Sequence, residues 1–319
     1  MATATPLAFS PGRHGWPGAA AWDAHDVDLQ ADDRPASPGS PETPSPPADV
    51  RLVVADMDGT LLDGEGRVPE DLWPLLERLE AAGIVFAPAS GRQYATLSRM
   101  FDRAREGMVF IAENGSLVVR DDEEVSSATI GSATVVEVVA AMRRLAGDGT
   151  DLGVVVCGKR AAYVERTDRR FLDHVDPYYA SLVEVGDLEV VDDDVIKVAV
   201  FAFGGSEDCV APHLHRFREV GDGHQVVVSN AHWVDVMPAG VDKGVAVRRL
   251  QESLGIGPEH TVAFGDYLND LEMLDAAGHS FAMANAHPDV LDRARHRAPA
   301  NTENGVVRTL TRLLDDAGR

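Results

Sequence analysis

The chain has 319 residues, of which 45% are hydrophobic and 6% aromatic, enough for two domains with buried cores and typical of a globular protein. Its formal net charge of −23 argues against nucleic acids and anionic membranes as partners, because both would repel it. Cys157 and Cys209 are the only cysteines, so the chain has neither a disulfide framework nor the ligand spacing of a zinc site.

Residues 1–49 are rich in Pro, Ser, Asp, Glu and Gly and have no apolar period, which is typical of a disordered tail. We interpret them as dispensable or as upstream of the true start codon, with binding to a partner as the alternative. They lack the basic start and apolar core of a signal peptide, and no run in the chain reaches the length of a membrane span. We therefore expect a cytoplasmic location.

From Val50 onward the pattern alternates between strands and helices. The predicted elements are strand Leu52–Ala55, a helix that Pro69 opens and Gly83 ends, strand Ile84–Ala87, a helix after Gly91, and strand Met108–Ala112. This βαβαβ order predicts a parallel sheet with helices on its faces.

Residues 131–237 have a different pattern, which predicts an α+β module inserted into the first domain. Several of its strands alternate as in an antiparallel sheet. The predicted helices are Val135–Leu145, Arg169–Val175 and Cys209–Val220, and the predicted strands are Val154–Val156, Ala162–Glu165, Val195–Phe203 and Gln225–Val228.

The first pattern resumes at residue 238. The predicted elements are a helix capped by Asp242, strand Thr261–Phe264, a helix closed by Gly278, strand Phe281–Ala284 and a helix opened by Pro288. The predicted domains are therefore a tail over 1–49, a core formed by 50–130 and 238–319, and the inserted module over 131–237.

The most informative motif is Asp56-Met57-Asp58-Gly59-Thr60, directly after the first predicted strand. The carboxylate of Asp56 can attack an electrophile, and that of Asp58, two residues further along the chain, can transfer a proton. Gly59 permits a sharp turn of the chain. The alternative for this motif alone is an Asx-turn with a spare acid.

The second motif, Ser90-Gly91-Arg92, follows the second predicted strand and begins a helix. The hydroxyl of Ser90 and the free amides around Gly91 can bind an anion. Taken alone, the motif could equally be an ordinary helix N-cap.

The third motif, Asp242-Lys243-Gly244, also begins a helix, and Lys243 is one of only three lysines in the chain. Its ammonium group can hold a phosphate oxygen and keep Asp56 ionised through its nearby charge. The alternative is an exposed lysine beside an Asx cap, but the scarcity of lysine favours a function.

The fourth motif runs from Gly265 to Asp270 after strand Thr261–Phe264. Asp266 and Asp270 are four residues apart, so one helical turn would place both on the same side. With Asp56 they supply hard oxygen ligands suited to Mg²⁺, and Asn269 can donate a hydrogen bond to a substrate. The alternative is an acidic helix N-terminus stabilised by the helix dipole.

All four motifs lie where a strand ends or a helix begins, and in an open parallel sheet these points gather at one edge where ligands bind. Together they suit phosphoryl transfer. Asp56 would attack phosphorus while Mg²⁺ and Lys243 offset the negative charge. Asp58 would protonate the leaving alkoxide and then deprotonate the water that cleaves the aspartyl-phosphate.

The four motifs in this order resemble those of the haloacid dehalogenase (HAD) superfamily, and the chain looks most like the Cof-type phosphatases of its subfamily IIB. The resemblance runs from about Val50 to the C-terminus. It includes Glu113-Asn114-Gly115, the stretch 283–286 and the stretch 301–306. Ala284 is a departure, since these proteins usually have glycine there.

The resemblance implies an α/β fold, with a Rossmann-like parallel-sheet core and a mobile inserted α+β cap of the C2B type. It also implies roles for the motif residues. Asp56 would be the nucleophile and Asp58 the acid/base; Mg²⁺ would be bound by Asp56, the main-chain carbonyl of Asp58 and Asp266, with Asp270 in support; Ser90, Gly91, Lys243 and Asn269 would hold the phosphate.

The expected activity is Mg²⁺-dependent hydrolysis of small phosphorylated metabolites such as sugar phosphates, with a cofactor precursor as an alternative substrate. The other readings are a phosphosugar mutase of the same superfamily and a binding module without activity. We expect a monomer or a small homo-oligomer. The polar and aromatic residues of the inserted module that could contact substrate are Arg166, Arg169, Arg170, His174, Tyr178 and Tyr179, none of which is assigned a role.

Overall fold

The computed structural model describes residues 49–218, 223–229 and 232–318, so the predicted tail lies outside the described residues except for Asp49. The described chain forms one eight-stranded and one six-stranded sheet. The strands are β1 Leu52–Asp56, β2 Val85–Ala89, β3 Val109–Ala112, β4 Leu117–Arg120, β5 Glu123–Ser127, β6 Leu152–Gly158, β7 Ala162–Val164, β8 Leu182–Glu184, β9 Val195–Ala202, β10 His224–Val228, β11 Trp233–Pro238, β12 Thr261–Gly265, β13 His279–Met283 and β14 His296–Ala298.

The helices vary from one turn to more than four turns in length. They are α1 Leu72–Ala81, α2 Tyr94–Met100, α3 Ser132–Gly147, α4 Arg169–Val175, α5 Ser206–Cys209, α6 Ala211–Leu214, α7 Lys243–Leu254, α8 Leu271–Ala276, α9 Pro288–Arg293 and α10 Gly305–Asp316. Within the described residues, no helix combines the length and the apolar character that crossing a membrane requires.

The larger sheet has the strand order β14-β13-β12-β1-β2-β3-β4-β5. Its first six strands are parallel, and β4 and β5 extend it as an antiparallel hairpin. Helices cover both faces of its centre, so β1 is a continuous buried run, as parallel strands usually are. The predicted α/β fold with a parallel-sheet core is confirmed, and β1 lies between β12 and β2.

The smaller sheet has the order β10-β11-β9-β6-β7-β8 and is antiparallel except for the pair β7–β8. Along β9 the side chains alternate between two apolar clusters, as the two-residue period of a strand requires. Val198 and Val200 pack with α3, and Ala199 and Phe201 pack with α4. We call this sheet with helices α3 to α6 the cap.

Most predicted elements are present, and helix Arg169–Val175 is confirmed to the residue. The single helix predicted over Cys209–Val220 is wrong, because α5 ends at Cys209 and α6 covers only Ala211–Leu214 before a short 3₁₀ turn. Pro212 lies in the first turn of α6, and because it has no N–H to donate back into α5, α6 starts as a new helix instead of continuing α5. Residues 219 and 220 lie outside the described part.

Candidate active site

The ends of the parallel strands bring the predicted acidic residues together. Asp56 ends β1, Asp266 directly follows β12, and Asp270 precedes α8. Within the described residues these three form the group that could hold a metal ion, since each offers a carboxylate oxygen and these oxygens all lie within 4.8 Å of one another. Hard carboxylate oxygens at this separation fit Mg²⁺.

Lys243 joins the three carboxylates from the first position of α7. Its side chain is 1% exposed, and its Nζ donates to Oδ1 of Asp56 and, at 2.7 Å, to Oδ1 of Asp270. Burial alone would lower the pKa of Lys243, but the charges of Asp270 and Asp56 outweigh it and raise that pKa. Lys243 is therefore a fixed positive charge.

The carboxylates carry more negative charge than Lys243 neutralises. Burial raises the pKa of Asp56 well above its ordinary value, and the neighbouring charge of Asp270 adds to this while Lys243 opposes it. Burial and the charge of Asp270 likewise raise the pKa of Asp266, to about 6. A bound divalent cation would offset this excess.

Gly59 and Thr60 fix the position of the Asp266 carboxylate. Gly59 has φ +80°, and a Cβ on it would overlap the carboxylate of Asp266. The hydroxyl of Thr60 donates to Oδ1 of Asp266 at 2.9 Å. The turn after β1 therefore requires glycine, both for its backbone conformation and for its close approach to this acid.

Asp58 lies beside this cluster, with a side chain that is 55% exposed, and is held by Arg92. The guanidinium donates from Nε to Oδ2 at 2.9 Å and from Nη2 to Oδ1 at 2.6 Å, a bidentate pair. Arg92 also donates to the carbonyl of Pro177 at 2.9 Å and lies 5.3 Å from the centre of the Tyr178 ring, both in the cap. The bidentate pair with Arg92 therefore fixes the orientation of the Asp58 carboxylate.

The loop after β2 carries the predicted anion-binding residues. Ser90 is buried, and its hydroxyl accepts from the amide of Arg92 at 3.2 Å. The carbonyl of Ser90 accepts from the amide of Asn114 at 2.9 Å, and the side chain of Asn269 donates to that of Asn114 at 3.3 Å. Through Asn114, the loop at Ser90 is connected to the loop that carries Asn269.

Gly115 packs the loop after β3 against the start of α7. It has φ +96°, and a Cβ on it would overlap the main-chain carbonyl of Asp242. Asp242 caps α7, since its side chain accepts from the amide of Val245 at 2.7 Å, as its position in the sequence predicted. This contact helps to set where Lys243 begins its helix.

The structure brings all of the predicted site residues to this one region. They are Asp56, Asp58, Ser90, Gly91, Lys243, Asp266, Asn269 and Asp270. Their catalytic roles stay predictions. The sequence assigned no role to Arg92 or Asn114. Arg92 could have been found from its place after Ser90-Gly91 at a helix start. The contacts of Asn114 with Ser90 and Asn269 could not, because no pattern in the sequence relates these residues.

Comparison with protein families gives one match that spans most of the chain. A family model described as haloacid dehalogenase-like hydrolase matches residues 53–310. This range includes both parts of the larger sheet and the cap.

Two curated proteins illustrate the similarity in sequence. The chain is 31% identical over 271 residues to the 5-amino-6-(5-phospho-D-ribitylamino)uracil phosphatase YbjI of Escherichia coli, covering 83% of this chain and 96% of that protein. It is 28% identical over 270 residues to the HMP-PP phosphatase of Cronobacter sakazakii, covering 83% and 96%. Both matches extend over nearly the whole of the relative.

A solved structure illustrates the similarity in fold. A haloacid dehalogenase-like hydrolase from Bacteroides thetaiotaomicron superposes with a TM-score of 0.74 at 22% identity, covering 83% of this chain and 99% of that one. At this identity the superposition shows a shared fold.

Proposed function

The chain belongs to the haloacid dehalogenase-like hydrolases and is an enzyme of their phosphatase class; on this premise we propose that it hydrolyses small phosphorylated metabolites with Mg²⁺ through an aspartyl-phosphate. The observation that carries the proposal is the convergence of Asp56, Asp266 and Asp270, two of which, Asp56 and Asp270, contact the buried ammonium of Lys243. A phosphate monoester is an anion, and an attacking carboxylate needs such compensation of charge nearby.

Asp56 is the proposed nucleophile. Its carboxylate attacks phosphorus, and the bond between phosphorus and the ester oxygen breaks. Lys243 holds Oδ1 of Asp56, which leaves Oδ2 as the attacking atom. Ser90, Gly91, Lys243 and Asn269 are the proposed ligands of the phosphoryl oxygens.

Asp58 is the proposed acid and base. It gives a proton to the leaving alkoxide and then takes one from the water that attacks the aspartyl-phosphate. The cap residues Pro177 and Tyr178 contact the same arginine that holds Asp58. Arg92 therefore links the position of the Asp58 carboxylate to the position of the cap.

Asp56 and Asp266, with the main-chain carbonyl of Asp58, are the proposed ligands of Mg²⁺. When bound, the ion would polarise a phosphoryl oxygen and offset the charge of the carboxylates. Asp270 supports them, because its Oδ2 accepts from the amide of Asp266 at 3.0 Å and so fixes the backbone that carries this ligand.

The proposed substrates are small phosphorylated compounds, either sugar phosphates or precursors of cofactors. Two similar proteins support this range, since one is named for a phosphoribitylamino-uracil and one for HMP-PP. We also propose the domain division given above, with a core over 50–130 and 238–319, a cap over 131–237 that closes over the substrate, and a tail over 1–49.

The remaining proposals concern the setting of the enzyme. Cys157 and Cys209 are both free thiols, which supports a reducing, cytoplasmic compartment. The acidic composition supports neither nucleic acid nor membrane as a partner. We propose a monomer or a small homo-oligomer.

The test is steady-state turnover of p-nitrophenyl phosphate with Mg²⁺, followed by a panel of phosphorylated metabolites. We expect continuous release of nitrophenol and inorganic phosphate in equal amounts. A mutase would instead retain the phosphoryl group and return it to a sugar phosphate, so an isomerised product without free phosphate would refute hydrolysis. Absence of any turnover across the panel would refute the enzyme assignment to this site.

A further inference from the structure

A second buried lysine, Lys197, joins the cap to the core next to the loop that carries Ser90 and Gly91. Lys197 lies on β9 of the cap and is 3% exposed, and its Nζ lies 2.6 Å from Oε2 of Glu113, which is 1% exposed and follows β3 of the core. Asp235 on β11 lies 3.6 Å from the same nitrogen. An ion pair this deeply buried is costly to break from either side.

Lys197 also contacts the anion-binding loop itself. Its Nζ donates to the main-chain carbonyl of Gly91 at 3.4 Å. The amide of Glu113 donates to the carbonyl of Arg92 at 3.1 Å, so the ion-pair partner of Lys197 is bonded to the same loop. Lys197 therefore touches the loop both directly and through Glu113.

The cap holds the other end of this loop through main-chain atoms. The side chain of Gln93 accepts from the amide of Ser181 at 2.9 Å and donates to its carbonyl at 3.1 Å. The hydroxyl of Thr96 donates to the carbonyl of Tyr178 at 2.8 Å and accepts from the amide of Ala180 at 3.0 Å. The loop is thus fixed to the cap at both ends.

The charge on Lys197 persists despite its burial. Burial would lower the pKa of Lys197, but the charges of Asp235 and Glu113 outweigh it and hold that pKa well above its ordinary value. Oε1 of Glu113 is buried and has no hydrogen-bond donor in the described part of the chain. Glu113 therefore depends on Lys197 for its compensation.

We propose that Lys197 is a positioning residue of the phosphatase site, which holds the main chain at Gly91 in the shape that binds the phosphoryl group. The proposal rests on the proposed function, because it assumes that the loop of Ser90 and Gly91 is where phosphate binds. Through Lys197 the cap contributes to phosphate binding without touching the phosphate.

The other two lysines of the chain, Lys243 and Lys159, differ from Lys197 in what they contact. Lys243 belongs to the carboxylate cluster, and Lys159 pairs with Glu124 of β5 at 2.8 Å, with side chains that are 23% and 44% exposed. The Lys159 pair also joins the cap to the core, but it lies near the surface and does not touch the anion loop. Lys159→Met is therefore the matched control for losing a lysine between cap and core.

The experiment measures competitive inhibition by inorganic phosphate of p-nitrophenyl phosphate hydrolysis, with KM, kcat and the thermal midpoint recorded for each variant. Lys197→Met alone leaves Glu113 unpaired, so the informative variant is the double Lys197→Met/Glu113→Gln, compared with Glu113→Gln. We expect the inhibition constant and KM of the double variant to exceed those of Glu113→Gln by about tenfold or more, with a smaller change in kcat, since small misplacements of binding groups cost up to about 100-fold. Lys159→Met should match the wild type.

A double variant with the inhibition constant and KM of Glu113→Gln would overturn the proposal, and so would one that fails to fold while Glu113→Gln folds, because Lys197 would then serve only the fold. Failure of the proposed function has a different signature. In that case the wild type itself would show no turnover, or Ser90→Ala would leave phosphate inhibition unchanged.

Discussion

Lys243 and Lys197 are both buried and both paired with carboxylates, but the two clusters differ in their access to solvent. Lys243 in the core contacts two carboxylates, those of Asp56 and Asp270. The carboxylate of Asp266 lies beside these two, in a loop that continues into the exposed residues Tyr267 and Leu268. Lys197 in the cap meets two carboxylates, Glu113 and Asp235, that are both almost completely buried. We call the cluster of Lys243 open, because its excess negative charge lies near solvent, and the cluster of Lys197 closed, because its carboxylates are sealed from solvent.

This difference shows how similar groups serve different purposes. Excess negative charge that solvent can reach is balanced by an ion from solution, so the cluster of Lys243 can bind a metal. Excess charge that is sealed inside must be balanced by the chain, so the cluster of Lys197 can only hold parts of the protein together.

The largest effect is expected at Asp56. Asp56→Asn removes the attacking oxygen at nearly constant volume and should lower kcat by about 10⁴-fold or more while the protein stays folded. Asp235→Asn is the matched change in the cap cluster and should retain most of the activity. Turnover of p-nitrophenyl phosphate measures both, and substantial activity in Asp56→Asn would contradict its role as nucleophile.

Removal of metal should come next. EDTA should abolish hydrolysis and added Mg²⁺ should restore it, because without the ion the charge of Asp56, Asp266 and Asp270 exceeds what Lys243 offsets. Far-UV circular dichroism before and after chelation checks that the fold persists. Turnover that is indifferent to chelation would rule out the ligand assignment.

A stability measurement distinguishes the two clusters directly. Without metal, Lys243→Met and Lys197→Met should each lower the free energy of unfolding by about 3–5 kcal/mol, since each leaves buried carboxylates uncompensated. Mg²⁺ should restore part of the loss in Lys243→Met and none of it in Lys197→Met. Urea unfolding with and without Mg²⁺ measures this, and equal recovery in both variants would end the distinction between an open and a closed cluster.

The smallest effect is a dependence on pH in the metal-free protein. The pKa of Asp266 is raised to about 6 in the folded state from an ordinary value of 3.8, so the folded protein binds a proton there before the unfolded chain does. The metal-free protein should therefore gain stability as the pH falls from 7 through 6. Because protons and Mg²⁺ compete for this carboxylate, the rise in thermal midpoint caused by Mg²⁺ should be larger at pH 7.5 than at pH 5.5.

A Mg²⁺-induced shift that is the same at both pH values would mean that Asp266 is not among the groups that exchange a proton for the ion.

The sequence predicted the edge of the larger sheet that carries the acidic residues better than it predicted the antiparallel end of the same sheet. Asp56 and Asp266 each follow a short apolar strand, and neighbouring parallel strands must end at the same edge, so their meeting follows from local pattern and topology. Strand β5 was missed because Glu123 and Glu124 give it the polar character of an edge strand.

The partners of Lys197 could not be predicted, for a different reason. Glu113 lies 84 positions earlier in the chain, and no periodicity relates the two residues. Their pairing follows from how the cap packs on the core, which depends on contacts such as those of Leu117 and Val119 with the apolar face that carries Phe201. The rarity of lysine favoured a function for Lys243 and gave neither a role nor a partner for Lys197.

Gly115 connects the two clusters. It directly follows the loop residues Glu113 and Asn114, and it fits against the carbonyl of Asp242, the residue before Lys243. A methyl group at this position would push the loop of Glu113, which pairs with Lys197, away from the start of α7, which carries Lys243. One substitution here would therefore disturb both the attachment of the cap at Lys197 and the carboxylate cluster at Lys243, because only glycine has a hydrogen atom in place of the Cβ.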